Sequence, residues 1–252
     1  MSVLSKLFAD EHAAYRHRMG LSRSDFGAFY APTEHADGIC AQKRAILDSP
    51  SGAQRLLITE PGQRPLAELA GLLGAPPDPS ALSLAIEPDW LILIPPDWRL
   101  AAAGVCFPTR WSLAGKALQT VEEIHGIVPR LNPSLGQQIG AFFARLTPGE
   151  GWTRSNWGLS SNGNLDQHPD APYQALTSQM PLAQVFIRVE SQHLLKMPQT
   201  GALVFGIRIL NFPLEEAAHD PHLAAALKES LRTMPADIAA YKGIPADFWQ
   251  RL

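Results

Sequence analysis

The sequence predicts an α+β domain, a mainly antiparallel sheet flanked by helices. Three observations carry this. The clearest strand segments, residues 184–190 and 202–210, follow one another late in the chain and are β-branched with alternating polarity. A second pair, residues 90–95 and 101–107, is separated by a short turn at Pro96, Asp97 and Trp98, which is hairpin spacing. Segments of helical periodicity lie between the two pairs. No strand runs into a glycine-rich turn and helix as a doubly wound nucleotide-binding fold requires.

Taken in order, residues 2–19 carry Leu4, Leu7, Phe8, His12 and Tyr15 at helical spacing and predict an amphipathic helix. A second helix is predicted over 36–47, and a short strand over 54–59, closed by Glu60, Pro61 and Gly62. Residues 65–73 predict a helix with proline in its first turn and Gly74 at its end. Residues 74–88, marked by prolines, read as a connector. The run 90–95 is apolar on both faces and therefore central in the sheet. Ser112 is placed to cap a helix running to His125 and stopped by Gly126. Ser134 caps another, with Leu135, Ile139, Phe142, Phe143 and Leu146 as its stripe. Residues 151–172, rich in Trp, Asn, Gly and Ser, lack periodicity and predict a long loop of the kind that carries function. Residues 214–232 predict a helix, with His219 and His222 marking a break, and residues 236–252 predict two short helical turns.

At 252 residues the chain is long enough for one sizeable core, and a single domain over 1–252 is expected. The net charge is −3 and no basic cluster exceeds two adjacent residues, so the electrostatic footprint of nucleic-acid binding is missing. Two cysteines are too few for a disulfide framework or for a four-thiolate iron–sulfur cluster. The N-terminus has no signal-like apolar region, and the longest apolar run, 90–96, is too short to span a bilayer, so a cytoplasmic protein without a membrane segment is expected. The common hydrolase, zinc-protease, P-loop and C-x-x-C signatures do not occur.

Four segments carry residues suited to chemistry. In residues 185–190, alternation sets Val185, Ile187 and Val189 on one face and Phe186, Arg188 and Glu190 on the other. In the next strand Arg208 lies opposite Leu203, Phe205, Ile207 and Ile209. Such charges either pair across a solvated sheet face or line a polar pocket. His125 ends a predicted helix, where a protonated ring is favoured; as a neutral ring it can ligate a metal, and a hydrogen-bonded structural role is the alternative. Cys106 ends a strand, as a buried inert thiol or a thiolate ligand, while Phe107 and Trp111 either wall a planar cofactor or fill the core. In residues 152–157, Arg154 either grips a carboxylate as a bidentate fork or stacks on a neighbouring Trp.

The order of these motifs resembles a known family. C-F-P-x-x-W runs from Cys106 to Trp111, followed by a segment bearing Lys116, then I-H-x-x-V-P from Ile124 to Pro129. R-x-N-W follows from Arg154 to Trp157, then R-V-E-x-Q-x-L-x-x-x-P from Arg188 to Pro198, leading into A-x-V-F-x-I-R from Ala202 to Arg208. This is similar to the haem-dependent oxidative N-demethylase alpha-subunit-like family, over a core of about residues 25–210 with a C-terminal helical extension at 211–252. The resemblance implies a PAS-like fold holding haem b, and an oxygen-activating subunit that demethylates a small secondary amine such as dimethylamine with dioxygen. It implies electrons from separate flavin and iron–sulfur components. His125 would ligate the iron; Arg154, Asn156, Trp157, Trp111 and Arg208 would hold the cofactor; Glu190 and Arg188 would act on the substrate. A non-catalytic haem- or ligand-binding PAS-like module and a cofactor-free scaffold are the alternatives. Ser191 and His193 depart from the family's R-x-E-R-Q-T-L pattern, where an Arg and a Thr are usual, which bears on a propionate clamp or a partner contact.

Overall fold

The computed structural model of the chain describes residues 3–10, 12 and 14–252. These form one seven-stranded sheet in the order β1-β5-β6-β7-β3-β4-β2, antiparallel at every pairing, with helices against it. The expected α+β class with a helix-flanked antiparallel sheet is therefore what the chain adopts.

The N-terminal part differs from expectation. Of the helix predicted over 2–19, Ser2, Glu11 and Ala13 lie outside the described residues, and only α1 (Val3–Leu7) is helical. Tyr15, His17, Met19 and Leu21 instead alternate, half-buried, with exposed neighbours on an extended segment. Period two, not 3.6, governs this stretch. It leads into the edge strand β1 (Ser22–Ser24), then α2 (Phe26–Tyr30), whose start Asp25 caps by accepting from Ala28 N at 2.7 Å. Next come α3 (Ala36–Leu47), β2 (Leu56–Ile58) and α4 (Gln63–Leu73), which ends on Gly74 at φ 66°. The expected connector at 74–88 contains α5 (Pro79–Ala85), capped by Asp78 and started by proline.

The hairpin of β3 (Asp89–Ile94) and β4 (Arg99–Gly104) forms as expected, with β3 inside the sheet between β4 and β7. The helix expected from Ser112 does not form. Residues 109–120 are mostly irregular, with positive φ at Arg110, Gly115 and Leu118, and α6 (Val121–His125) starts at a capping box between Thr120 and Glu123. α7 (Leu131–Arg145) buries Leu135, Ile139 and Phe143.

The expected loop at 151–172 is the largest correction. Its first ten residues are β5 (Gly151–Ser160), paired residue by residue with β6 (Phe186–Lys196), from Gly151↔Leu195 to Ser160↔Phe186. The Gly, Ser and Asn content lowers intrinsic strand preference, and pairing with a partner 26 to 44 residues further along the chain overrides it. β7 (Leu203–Pro213) completes the long central hairpin. The predicted break at His219 separates α8 (Leu214–Ala218) from α9 (Pro221–Arg232), and α10 (Ala236–Lys242) with a final short turn at Phe248–Arg251 ends the chain. Among the described residues no helix is long and apolar enough to cross a membrane.

Packing divides the sheet. On one face, Leu91, Leu93, Leu194, Leu203 and Ile207 meet α7 and the irregular segment after β4. On the other, Trp90, Ile92 and Val204 meet α4 and α5, while Ile187 and Val189 meet the C-terminal helices. The C-terminal helices continue to the outer edge of β5. β1 covers only Gly151–Thr153 of that strand, so from Arg154 onward the edge is open to α10.

Candidate functional site

The first sheet face carries a cavity of about 330 Å³. Its floor is set by strand alternation. Arg188, Glu190, Gln192 and Leu194 project from β6, with Arg154 and Asn156 from β5 and Phe205 and Ile207 from β7. Across the ladder Arg154 faces Gln192 and Asn156 faces Glu190. The roof comes from α6 and α7, the N-terminal segment with Tyr15 and His17, the loop bearing Arg110, Trp111 and Lys116, and Tyr241 and Lys242 of α10. One end is apolar, with Leu91, Leu93, Leu131, Ile139, Phe142 and Phe143; the β5–β6 end is charged. A planar amphiphile with carboxylates at one edge matches that division.

Glu190 is the acid of this wall. Its Oε1 accepts from Thr109 Oγ1 at 2.8 Å and its Oε2 from Gln192 Nε2 at 2.9 Å. Arg188 lies behind it, 3% exposed, donating from Nε to Thr109 Oγ1 (3.0 Å) and otherwise to the carbonyls of Phe107, Pro108, Asn164 and Leu165. Burial pulls its pKa down to about 10. The Arg188 guanidinium thus clamps two loops and holds Thr109 against Glu190. A buried ion pair and a half-buried one fix the same loops from below. Lys43 lies 3.0 Å from Asp89, whose Oδ2 accepts from Phe107 N at 2.7 Å, and Arg55 grips Asp166 with two bonds of 2.9 and 3.0 Å.

His125 stands at the end of α6 in the cavity wall. Burial, helped by the nearby Arg154 charge, lowers its pKa to about 4, so the ring is neutral above that pH. Its Nδ1 is shielded and without a hydrogen-bond partner. Two further shielded polar atoms of the lining share that condition, Arg154 Nε and Gln192 Oε1. Orphaned polar atoms are uncommon in folded proteins, and three around one cavity point to a ligand or ordered water that completes them. Burial also lowers the Arg154 pKa, against the pull of Glu190 and Tyr15, and its Nη2 donates to the Arg18 carbonyl at 3.3 Å.

Other sequence candidates sort clearly. Trp111 is half-buried in the cavity wall. Trp157 belongs to the wall as well, with its ring edge-on to Phe8 and Tyr15 at 5.0 and 6.3 Å. Arg208, expected to hold a cofactor, is not at the cavity. Alternation turns it to the far face, where it pairs with Glu87 at 2.5 Å and donates to the Phe29 carbonyl at 2.8 Å. Cys106 is buried in the core and its thiol pKa is pushed up to about 12 by burial, which removes the thiolate needed for ligation. Ser191 and His193 also face away from Glu190 and Gln192, and His193 packs among Phe26, Phe29 and Tyr30. The departures from the family pattern therefore leave the cavity floor unchanged.

Several lining residues had no sequence signal. His17 sits in a stretch read as helix, and its Nε2 lies 3.0 Å from the Pro129 carbonyl, which makes Nε2 the protonated nitrogen. Lys242 is far from every motif. Its Nζ donates to the Trp157 carbonyl (2.5 Å) and to Asn156 Oδ1 (3.4 Å), and burial lowers its pKa to about 8.

Residues 76–250 match the model of a family described as haem-dependent oxidative N-demethylase, alpha subunit-like. The chain belongs to that family. The match takes in α10 and with it Lys242, beyond the motif landmarks at 106–208. Haem, the cofactor in the family's description, suits the residues present. Among the described residues no three His, Cys, Asp or Glu side chains converge to hold a bare metal ion. Iron carried in a macrocycle needs only one side-chain ligand, which neutral His125 could supply. The apolar end can take the ring, and Arg154 and Lys116 stand among the cations available for its carboxylates.

Proposed function

We propose that the cavity holds haem b and that the chain is the oxygen-activating subunit of an oxidative N-demethylase acting on a small secondary amine. The observation that carries this is the neutral, unpartnered His125 in a cavity apolar at one end and cationic at the other. The overall change is conversion of R–NH–CH₃, dioxygen, two electrons and two protons into R–NH₂, formaldehyde and water. Haem iron supplies dioxygen activation, and the electrons come from separate flavin and iron–sulfur proteins.

The chain's own residues bind and orient. Glu190, its oxygens fixed by Thr109 and Gln192, keeps lone pairs for the substrate ammonium. Opposite charges in a partly dehydrated pocket attract more strongly than in water. Arg188 acts as a positioning residue, setting Thr109 and so the carboxylate. Trp111, Phe142 and Phe143 exclude water from the reacting methyl group. Asn156 and Trp157 hold Lys242 at the polar end.

A hemin titration followed by visible absorption tests the assignment. A saturable Soret band at one haem per chain is expected, abolished or strongly shifted by H125A. A band unchanged in H125A but lost in H17A would move the ligand assignment to His17. No band in the wild-type chain would refute haem binding and leave a cofactor-free scaffold.

A further inference from the structure

The charged end of the cavity holds more positive charge than a simple amine can use. Arg110, Arg154 and Lys242 line it against the single carboxylate of Glu190, with Arg188 already consumed by carbonyls and Thr109. If a haem offsets two of these cations with its two carboxylates, one remains. A dimethylammonium ion would answer Glu190 and leave that surplus unmet.

Glu190 and Lys242 have a particular relation. Asn156 is the cross-strand partner of Glu190, so their side chains share the cavity face. Lys242 Nζ reaches Asn156 Oδ1 at 3.4 Å from α10 on the other side. Ammonium and carboxylate are thus neighbours at one end of the cavity, each held by its own neutral partners, and among the described residues no ion pair within 4.0 Å joins them. Arg110 anchors the lysine's end of α10 by donating to the Lys242 carbonyl. A fixed, unclosed pair of opposite charges is complementary to a ligand that carries both charges in reverse order.

We infer that the substrate is an N-methyl amino acid: its secondary ammonium would meet Glu190 and its carboxylate Lys242, with Arg154 or Arg110 adding to the anion site. This names the substrate class of the demethylation proposed above and rests on reading the cavity as the amine site. For N-methylglycine, the N–CH₃ bond breaks and the methyl carbon leaves as formaldehyde. Dioxygen and two electrons from the reductase, with two protons, give glycine and water as the other products.

Calorimetric binding of N-methylglycine and of dimethylamine to the haem-loaded protein, at equal pH and salt, tests the inference. The wild-type chain should favour N-methylglycine by about tenfold or more, the scale of one charge-assisted contact. K242M should reduce that preference by about tenfold. N156D, at an exposed position, sets a second carboxylate beside Lys242 and should move the preference toward dimethylamine even if K242M folds poorly. Equal or reversed affinities in the wild-type chain, binding of neither ligand, or an unchanged preference in folded N156D would overturn the substrate class. Absence of a Soret band would instead defeat the cofactor assignment, so the two failures are read by different signals.

Discussion

Substitution D89N probes how the fold holds the site. Asp89 is 1% exposed and Lys43 0%, and Lys43 Nζ also donates to the carbonyls of Ile86 (3.3 Å) and Pro88 (2.9 Å) beneath the Phe107 ring. Asparagine keeps an oxygen for the Phe107 N–H but removes the negative charge, stranding the buried ammonium. Breaking one side of such a pair costs about 3–5 kcal/mol, a large share of the roughly 5–15 kcal/mol that holds a typical domain together. The double variant K43M/D89N removes the stranded charge while retaining the Phe107 bond, so it should be more stable than D89N alone. Urea denaturation of wild type, D89N and the double variant measures both differences. A D89N cost below about 1 kcal/mol, or a double variant less stable than the single, would refute the view that this pair is what pins residues 106–109 and, through Thr109, Glu190.

Two further outcomes are expected. His193, 0% exposed, has its pKa lowered to about 4 by burial, against an ordinary value near 6.5. The unfolded chain therefore binds this proton more readily, so stability should fall as pH drops from about 6.5 through 4, by about 3 kcal/mol from this ring; melting curves across that window should show wild type losing about 3 kcal/mol more stability than H193F as pH falls, and parallel curves would contradict it. R208A leaves Glu87 buried with only Thr33 as partner, so it should destabilise the fold by about 2–5 kcal/mol while the folded fraction keeps wild-type hemin affinity; a selective loss of hemin affinity without destabilisation would return Arg208 to the site.

Local chemistry and period-two patterning made much of this molecule legible in its sequence. The β3–β4 hairpin, the facing of Arg188 and Glu190 together on β6, and the stop of α4 at Gly74 all follow from rules that span a few residues, whereas Arg208, expected at the cofactor, turns away on β7. His125, Arg154, Asn156 and Trp111 were visible as unusual residues in ordered motifs, and they line one cavity. What stayed hidden depended on contacts distant in sequence. β5 reads as a loop until β6 supplies its hydrogen-bonding partner, and Tyr15 and His17 read as helix until Thr233 at the end of α9 accepts from the Tyr15 N–H and the Pro129 carbonyl between α6 and α7 accepts from the His17 ring.

Strand alternation, turn chemistry and motif order are written locally, so the fold class, the family and most residue types at the site follow from the sequence alone. Which charges share a space depends on contacts between residues distant in the chain. Lys242 lies 86 positions from Asn156, yet it closes the polar end of the cavity because β1 leaves the β5 edge uncovered and α10 folds back onto it. The His125 ring became a neutral, unpartnered imidazole for the same kind of reason: burial, which no local pattern encodes, removes the water that would otherwise stabilise its charge.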